Sequence, residues 1–174
     1  MADRVRDWRA DLVAAYSDLF DPTAGDPPTA RGWPYVDEGW RDLLERACVR
    51  IRTAVQADGG SLHVTQIMEK YGTLRFYWAG SLSPEANARV EEAIDLAEAR
   101  SAVTCEICGE PGVLYGGRWV TTRCANHAEG RRPVQSEPGD QIYVFERVVG
   151  NRQDVLHRRY DREGDGFIDV TEEK

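Results

Sequence analysis

The sequence has no long run of apolar residues and few cysteines. No stretch approaches the roughly 18 apolar residues that a membrane-spanning helix needs. The N-terminus is charged from its third residue and has no apolar signal core. We therefore expect a cytoplasmic protein without a membrane partner. Its 174 residues, 41% of them hydrophobic and 30% charged, are enough for a globular chain with its own core.

The sequence also has no excess of positive charge, since its formal net charge is −8. A protein that wraps duplex nucleic acid needs a cationic face to neutralise phosphates, so this balance argues against that class. An acidic surface suits solubility or a basic protein partner. A protein partner is therefore favoured over a nucleic acid.

The four cysteines do not form the dispersed, even set of a disulfide-stapled secreted domain. Three of them fall in one segment, as Cys105-x-x-Cys108 followed by Cys124-x-x-His127. The fourth, Cys48, lies beside the apolar face of a predicted helix, where we expect a small core residue. The clustered cysteines and His127 are the candidate metal ligands.

The spacing of these four residues predicts a zinc site. Fifteen residues separate the two pairs, and structural zinc prefers four tetrahedral nitrogen or sulfur ligands. Gly109 permits the turn under the metal, and residues 113–120 predict a hairpin around Gly116 and Gly117. A knuckle, a hairpin and a second pair are the layout of a zinc ribbon or treble clef. Because the protein fills all four positions, we expect a structural Zn²⁺ and not a catalytic one.

Hydrophobic periodicity predicts three helices. Apolar side chains recur at steps of three and four over residues 3–20, 38–57 and 83–101. Ser83 is a suitable N-cap for the third helix, and Pro84 fits its first turn.

Alternating apolar residues predict strands. Residues 61–79 read as a β-hairpin that turns at Tyr71-Gly72, with a bulge near residues 67–68. Residues 142–149 predict a further strand.

Together these elements predict an α+β fold with helices packed on a small antiparallel sheet and a zinc ribbon or treble-clef-like module. We expect a helical and hairpin core over residues 1–102, a zinc-binding module over 103–130, and C-terminal strands with an acidic tail over 131–174. The three parts are predicted to pack as one domain.

The C-terminal segment carries a second, weaker metal pattern. Its twelve residues resemble the EF-hand calcium loop, with acidic side chains at positions one, three, five, nine and twelve and glycine at six. That resemblance implies ligands at Asp161, Glu163, Asp165, Glu172 and the carbonyl of Phe167. The alternative is a β-hairpin of residues 155–160 and 167–170, since Asp-Gly favours a tight turn. We favour the hairpin, with Ca²⁺ binding as the alternative.

No catalytic motif is found in the sequence. There is no Gly-rich phosphate loop and no Gly-x-Ser-x-Gly elbow. His63 and His157 have no recognisable nucleophile partner. We therefore expect no enzymatic activity.

Three motifs carry a resemblance to a known family. They are Gly39-Trp40, the run Gln66–Tyr77 and the knuckle Cys105–Gly109. In this order they resemble a family of small uncharacterised bacterial and phage proteins, over about residues 32–127. The resemblance implies no activity, but it makes a phage or mobile-element accessory role an expectation.

The hairpin is the predicted binding surface. Tyr71, Arg75 and Tyr77 combine aromatic and arginine side chains, which are enriched among binding hot spots. The alternative is an ordinary sheet face on which Arg75 is solvated or ion-paired.

The leading functional hypothesis is a non-catalytic zinc-binding protein that acts through protein–protein interaction. An immunity or antitoxin-like protein against a basic toxin, or a phage accessory inhibitor, fits the acidic and compact chain. A nucleic-acid-associated zinc protein is the first alternative, with a basic patch at Arg118, Arg123, Arg131 and Arg132. A calcium-binding protein is the second.

Overall fold

The computed structural model of the chain describes residues 7–23, 25–135, 142–149 and 152–170. The chain divides into two compact units, Met1–Pro133 and Val134–Lys174. The fold is α+β, as predicted, because the described residues form four α-helices and three small sheets. Within these residues no helix combines the length and hydrophobicity needed to cross a membrane.

The first predicted helix covers residues 3–20, of which residues 3–6 lie outside the described residues. Its described part is two helices, α1 (Trp8–Ala15) and α2 (Ser17–Phe20). They are separated by Tyr16, whose φ of −119° and ψ of 38° leave the helical region. Arg52 explains the break. Its guanidinium lies 4.2 Å from the centre of the Tyr16 ring and pairs with Asp18.

The other two predicted helices are confirmed as α3 (Arg41–Asp58) and α4 (Pro84–Ser101), and α3 follows a short 3-10 helix, Glu38–Trp40. Ser83 caps α4 by accepting a hydrogen bond from the amide of Ala86. The apolar residues that recur along these two segments are buried: Trp40, Leu43, Leu44, Ala47, Ile51 and Ala54 in the segment of residues 38–58, and Val90, Ala93, Ile94 and Ala97 on α4. Cys48 is buried with them, and burial raises its thiol pKa to about 12.

The central sheet contains β1 (Pro34–Tyr35), β2 (Ser61–Lys70) and β3 (Thr73–Ser81), in that order. β1 runs parallel to β2, and β2 and β3 form the predicted antiparallel hairpin. Tyr71 and Gly72 have φ of 55° and 81°, as a two-residue hairpin turn of type I′ requires. The bulge lies between Val64 and Gln66, earlier than predicted.

The two faces of this sheet differ sharply. The inner face packs into the core through Leu62, Val64, Ile67, Leu74 and Phe76. The outer sheet face is defined by strand register and alternation as Tyr35, His63, Gln66, Met68, Lys70, Thr73, Arg75, Tyr77 and Ala79. None of these nine positions is acidic, although the chain has 30 Asp and Glu residues.

A small hairpin of β4 (Val113–Tyr115) and β5 (Thr121–Arg123) follows the knuckle. The predicted second arm at residues 118–120 is wrong, since these residues belong to the connecting loop. The side chain of Thr122 is buried and donates a 2.6 Å hydrogen bond to the carbonyl of Gly72. This distant contact fixes residues 121–123 as the strand.

The second unit is an antiparallel sheet of β6 (Ile142–Val149), β7 (Arg152–Asp161) and β8 (Gly166–Asp169), in that order. β7 and β8 form the favoured hairpin, with Asp161 opposite Gly166. The Asp161 carboxylate accepts the Gly164 amide at 2.8 Å, and that of Asp165 accepts the Tyr160 hydroxyl at 2.6 Å. Two of the carboxylates that the EF-hand resemblance implies as calcium ligands, those of Asp161 and Asp165, thus accept hydrogen bonds within the hairpin turn. Glu172, another implied ligand, lies outside the described residues.

The ionisation of Asp95 on α4 tests how burial and neighbouring carboxylates affect stability. Burial raises the pKa of its carboxyl, and the charges of Glu91 and Glu92 add to the effect. Because the folded pKa lies above the unfolded value, ionised Asp95 lowers stability above its folded pKa and has no effect below both values. We expect Asp95→Asn to raise the melting temperature at pH 7, with a gain that shrinks as the pH falls toward about 4, near the ordinary pKa of an aspartate. If Asp95→Asn changed the melting temperature by the same amount at both pH values, or lowered it at pH 7, the raised pKa of Asp95 would be refuted.

Candidate metal centre

The knuckle begins after α4. The amide of Cys105 donates to the carbonyl of Glu110 at 2.8 Å, and the amide of Gly109 donates to that of Cys105 at 2.8 Å. These bonds close the tight turn that brings Cys108 back beside Cys105. Gly109 has φ of 79°, which only glycine adopts freely, so this residue makes the turn possible.

The second ligand pair lies on a helical turn at the end of β5. Cys124 precedes a 3-10 helix, Ala125–His127, and its carbonyl accepts the His127 amide at 3.0 Å. A knuckle, a hairpin and a helical turn follow one another in the order of a treble clef.

The four predicted ligands converge in space. The Nδ1 atom of His127 lies 3.6 Å from Sγ of Cys105 and 3.3 Å from Sγ of Cys124, and the Sγ atoms of Cys108 and Cys124 are 3.7 Å apart. All four ligand atoms lie within 4.8 Å of one another. Zn–S bonds of about 2.3 Å in a tetrahedron place two sulfurs about 3.8 Å apart. The cluster can therefore hold a metal ion such as Zn²⁺.

The surroundings of Cys105 favour the thiolate form of its side chain. Burial opposes its ionisation, but hydrogen bonds from the backbone amides of Cys124, Cys108 and Ile107 outweigh burial and lower the pKa of Cys105 to about 6. A thiolate is the form that binds a metal.

At Cys108 the effects that raise the thiol pKa exceed those that lower it. The amide of Glu110 lowers its pKa, but burial and the thiols of Cys105 and Cys124 together raise it. Three neighbouring thiols resist ionising together unless a cation is present. A bound dication would remove this conflict, because it attracts every thiolate at once.

Arg123 and Glu106 form an ion pair inside the module. Nη1 of Arg123 lies 2.9 Å from Oε2 of Glu106, and only 16% and 9% of the two side chains are exposed. Burial raises the pKa of Glu106, and the hydrogen bond and charge of Arg123 act against it. Glu106 also accepts the Asp37 amide at 3.3 Å. Arg123 therefore stabilises the module from within.

Arg131 is also engaged within the module. It donates to the hydroxyl of Thr121 at 3.0 Å and pairs with Glu129 at 3.7 Å. Two of the four arginines in the predicted basic patch, Arg123 and Arg131, thus have partners near the ligands.

The knuckle is attached to the core at Gly39-Trp40. The Gly39 amide donates to the Glu106 carbonyl at 2.7 Å, and the Trp40 indole donates to the Thr104 carbonyl at 2.9 Å. A side chain at Gly39 would collide with the carbonyl oxygens of Cys105 and Glu106. Glycine is therefore required for this close backbone contact.

The β4–β5 hairpin is attached to the core at the tip of the β2–β3 hairpin. The Thr122 hydroxyl donates to the Gly72 carbonyl, and a Cβ at Gly72 would collide with the side chain of Leu114. The Glu69 carboxylate accepts a hydrogen bond from the Gly72 amide. The module thus supports the turn that carries Tyr71.

The three predicted binding residues occupy different environments. Tyr71 and Tyr77 are 70% and 46% exposed. Arg75 is partly buried, donates to the Thr73 hydroxyl at 2.6 Å and lies 3.8 Å from Glu98. Arg75 and Tyr77 share the outer sheet face, whereas Tyr71 lies at the adjoining turn.

Sequence reasoning missed Tyr35 and Met68 on the same face. The register places Tyr35 beside Met68, and Met68 beside Arg75. Tyr35 is 71% exposed, more than the predicted tyrosines. A two-residue parallel strand has no periodic signal, so no sequence pattern could have found it.

A scan against protein-family models, a search of curated proteins and a search of solved structures found no match to this chain. The family resemblance of the three motifs stays a prediction.

Metal analysis tests the ligand set. The full chain purified without added zinc should contain about one Zn²⁺, because the four ligand atoms fit one tetrahedral ion. Cys124→Ser and His127→Ala should each lose most of it, whereas the matched control Cys48→Ser should retain it. Metal-free wild-type protein with an intact fold in chelator would contradict the prediction.

The close contact of Gly39 with the knuckle backbone predicts that a side chain at this position lowers stability. Gly39→Ala should lower the free energy of unfolding by about 2–3 kcal/mol, as expected for overpacking, although alanine otherwise favours helical conformations. Gly166→Ala is the control, because the nearest atom to its added Cβ beyond the adjoining residues would be the Gly164 carbonyl oxygen, 3.9 Å away. Urea denaturation of zinc-loaded protein measures both, and equal stability of the two variants would exclude the contact.

Proposed function

We propose that the protein is a non-catalytic binding protein in which a structural Zn²⁺ supports the outer sheet face, and that this face binds a protein partner. The observation that carries the proposal is the attachment of the metal module to Gly72, at the tip of the hairpin that forms the face.

The ligand set supports a structural metal. A catalytic Zn²⁺ keeps one coordination position open for water or substrate, whereas a structural one is closed by four protein ligands. Here three cysteines and one histidine converge on one point. Each strand of the β4–β5 hairpin has only three residues, so the bound metal would supply much of the module's stability.

The composition of the outer sheet face supports protein binding. Tyrosine, methionine and arginine are enriched at protein interfaces, whereas aspartate and glutamate are depleted. Tyr35, Met68, Arg75 and Tyr77 lie together on this face, and none of its nine positions is acidic.

The net charge of −8 bears on the partner. A basic protein would be attracted at long range by the rest of the surface, and the tyrosines would then supply the contact area. On this basis we propose an immunity or antitoxin-like inhibitor of a basic toxin. The motif resemblance supports a phage accessory role for such an inhibitor.

The two alternatives have less support. The predicted nucleic-acid patch is reduced by the internal contacts of Arg123 and Arg131. The predicted calcium loop contains a β-hairpin turn in which Asp161 and Asp165 accept hydrogen bonds.

Affinity capture tests the protein-binding proposal. Zinc-loaded full chain, immobilised and exposed to a lysate of the source organism, should retain a protein that a Tyr35→Ala, Tyr77→Ala double variant binds at least about 10-fold more weakly, because two hot-spot side chains are removed. Trp119→Ala is the matched control, since Trp119 is an aromatic residue 70% exposed on the metal module.

The same experiment separates the alternatives. Equal capture by the wild type and the double variant would contradict binding through the outer sheet face. Capture of nucleic acid with steep salt dependence, and of no protein, would favour the nucleic-acid alternative.

A further inference from the structure

The second unit exposes an aliphatic surface. Thirteen large hydrophobic side chains are exposed among the described residues, and five of them lie on one face of the β6–β7–β8 sheet. This aliphatic face consists of Ile142, Val144, Val155, Ile168 and Val170, which are 37–60% exposed. Exposed apolar residues that are contiguous, and not scattered, mark an interaction surface.

The opposite face of the same sheet is filled by its own side chains. The ring of Phe167 lies 5.4, 5.0 and 6.0 Å from the rings of Tyr143, Phe145 and Tyr160. Arg158 covers Phe145 at 5.5 Å from the ring centre. The aliphatic face has no comparable cover among the described residues of the unit. A three-stranded sheet needs a packed apolar face for stability.

Polar side chains share this side of the sheet with the aliphatic residues. The central strand β7 places His157 and Arg159 between the aliphatic residues of β6 and β8, and Glu146 follows Val144 on β6. The register places Val144 opposite His157 in the middle row, Ile142 opposite Arg159 in the row at one end, and Glu146 opposite Val155 at the other. Because paired residues point to the same side of a sheet, Glu146 and Arg159 both border the aliphatic face. Glu146 accepts a 2.9 Å hydrogen bond from Gln153. No ion pair of Arg159 is found within the described residues.

This arrangement is complementary to itself. Two copies of this sheet can stack face to face about a two-fold axis that lies between them and is perpendicular to the strands. The strands of the second copy then run in the opposite direction to those of the first. The row that contains Arg159 then lies over the row that contains Glu146 of the other copy. The middle rows of the two copies, each formed by Val144, His157 and Val170, meet between them. Glu146 and Arg159 of each copy then each gain a neighbour of opposite sign in the other copy.

We propose that the chain forms a two-fold homodimer through the aliphatic face, with Glu146 of each protomer beside the partner's Arg159. The interface buries the five aliphatic side chains of each copy, which supplies the cover that the unit lacks. It uses a different sheet from the proposed protein-binding face and rests on neither the metal nor that partner.

Sedimentation velocity of the zinc-loaded full chain between about 1 and 200 μM tests the proposal. The wild type should sediment as a dimer in the upper part of this range. Val144→Glu should raise the dimer dissociation constant at least about 100-fold, because it places two carboxylates close together at the centre of the interface, where like charges repel. Val49→Glu is the matched control, since Val49 is 53% exposed on α3, and it should remain dimeric.

Charge reversal tests the orientation. Glu146→Arg and Arg159→Glu should each weaken the dimer about 10-fold or more, because each places like charges together at two symmetric positions. An equimolar mixture of the two variant chains should associate as strongly as the wild type, since every pair is then opposite in sign. A variant that merely failed to fold would not be rescued by mixing.

Three results would overturn the proposal. They are a monomeric wild type at 200 μM, a Val144→Glu variant that dimerises as well as the wild type, and a mixture of the charge variants no stronger than either alone. Circular dichroism and metal content of each variant check that the fold is retained.

Discussion

The convergence of two short chain segments on one metal position is the constraint on which this structure depends. Cys105 and Cys108 come from a knuckle after α4, and Cys124 and His127 from a helical turn after β5. The hairpin between them has strands of three residues, too small to hold this geometry alone. A bound Zn²⁺ would turn the repulsion of neighbouring thiolates into the main attraction of the module.

The module in turn connects the motifs on which the family resemblance rests. Gly39 and Trp40 donate hydrogen bonds to carbonyls at the knuckle, and the Gly72 carbonyl accepts a hydrogen bond from the buried hydroxyl of Thr122. Both glycines lie where a side chain would collide with the module. The motifs therefore describe how the metal module joins the core. In our proposal, function lies on the outer sheet face that this junction supports.

Local patterns in the sequence predicted the elements whose cause is local. The periodicity of α3 and α4, the turn at Tyr71-Gly72 and the ligand spacing each depend on residues close in sequence. The structure departs from the prediction where a contact between residues distant in sequence determines the boundary of an element. Arg52 divides the first helix at Tyr16, and the bond from Thr122 to Gly72 selects the strand at residues 121–123. Tyr35 joins the face through a strand too short to have a period.

Hydrogen exchange of the zinc-loaded and the chelator-stripped full chain tests the central claim most directly. The Gly39 amide donates to the Glu106 carbonyl and reports on the junction between module and core, whereas the Glu106 amide donates to the Thr122 carbonyl and reports on the module itself. The account predicts that stripping the metal removes protection at Gly39 and across residues 105–127, while the interior of α3 around Ile51 stays protected. Unchanged protection at Gly39 and through the module would show that the metal does not hold the junction, and would contradict the account.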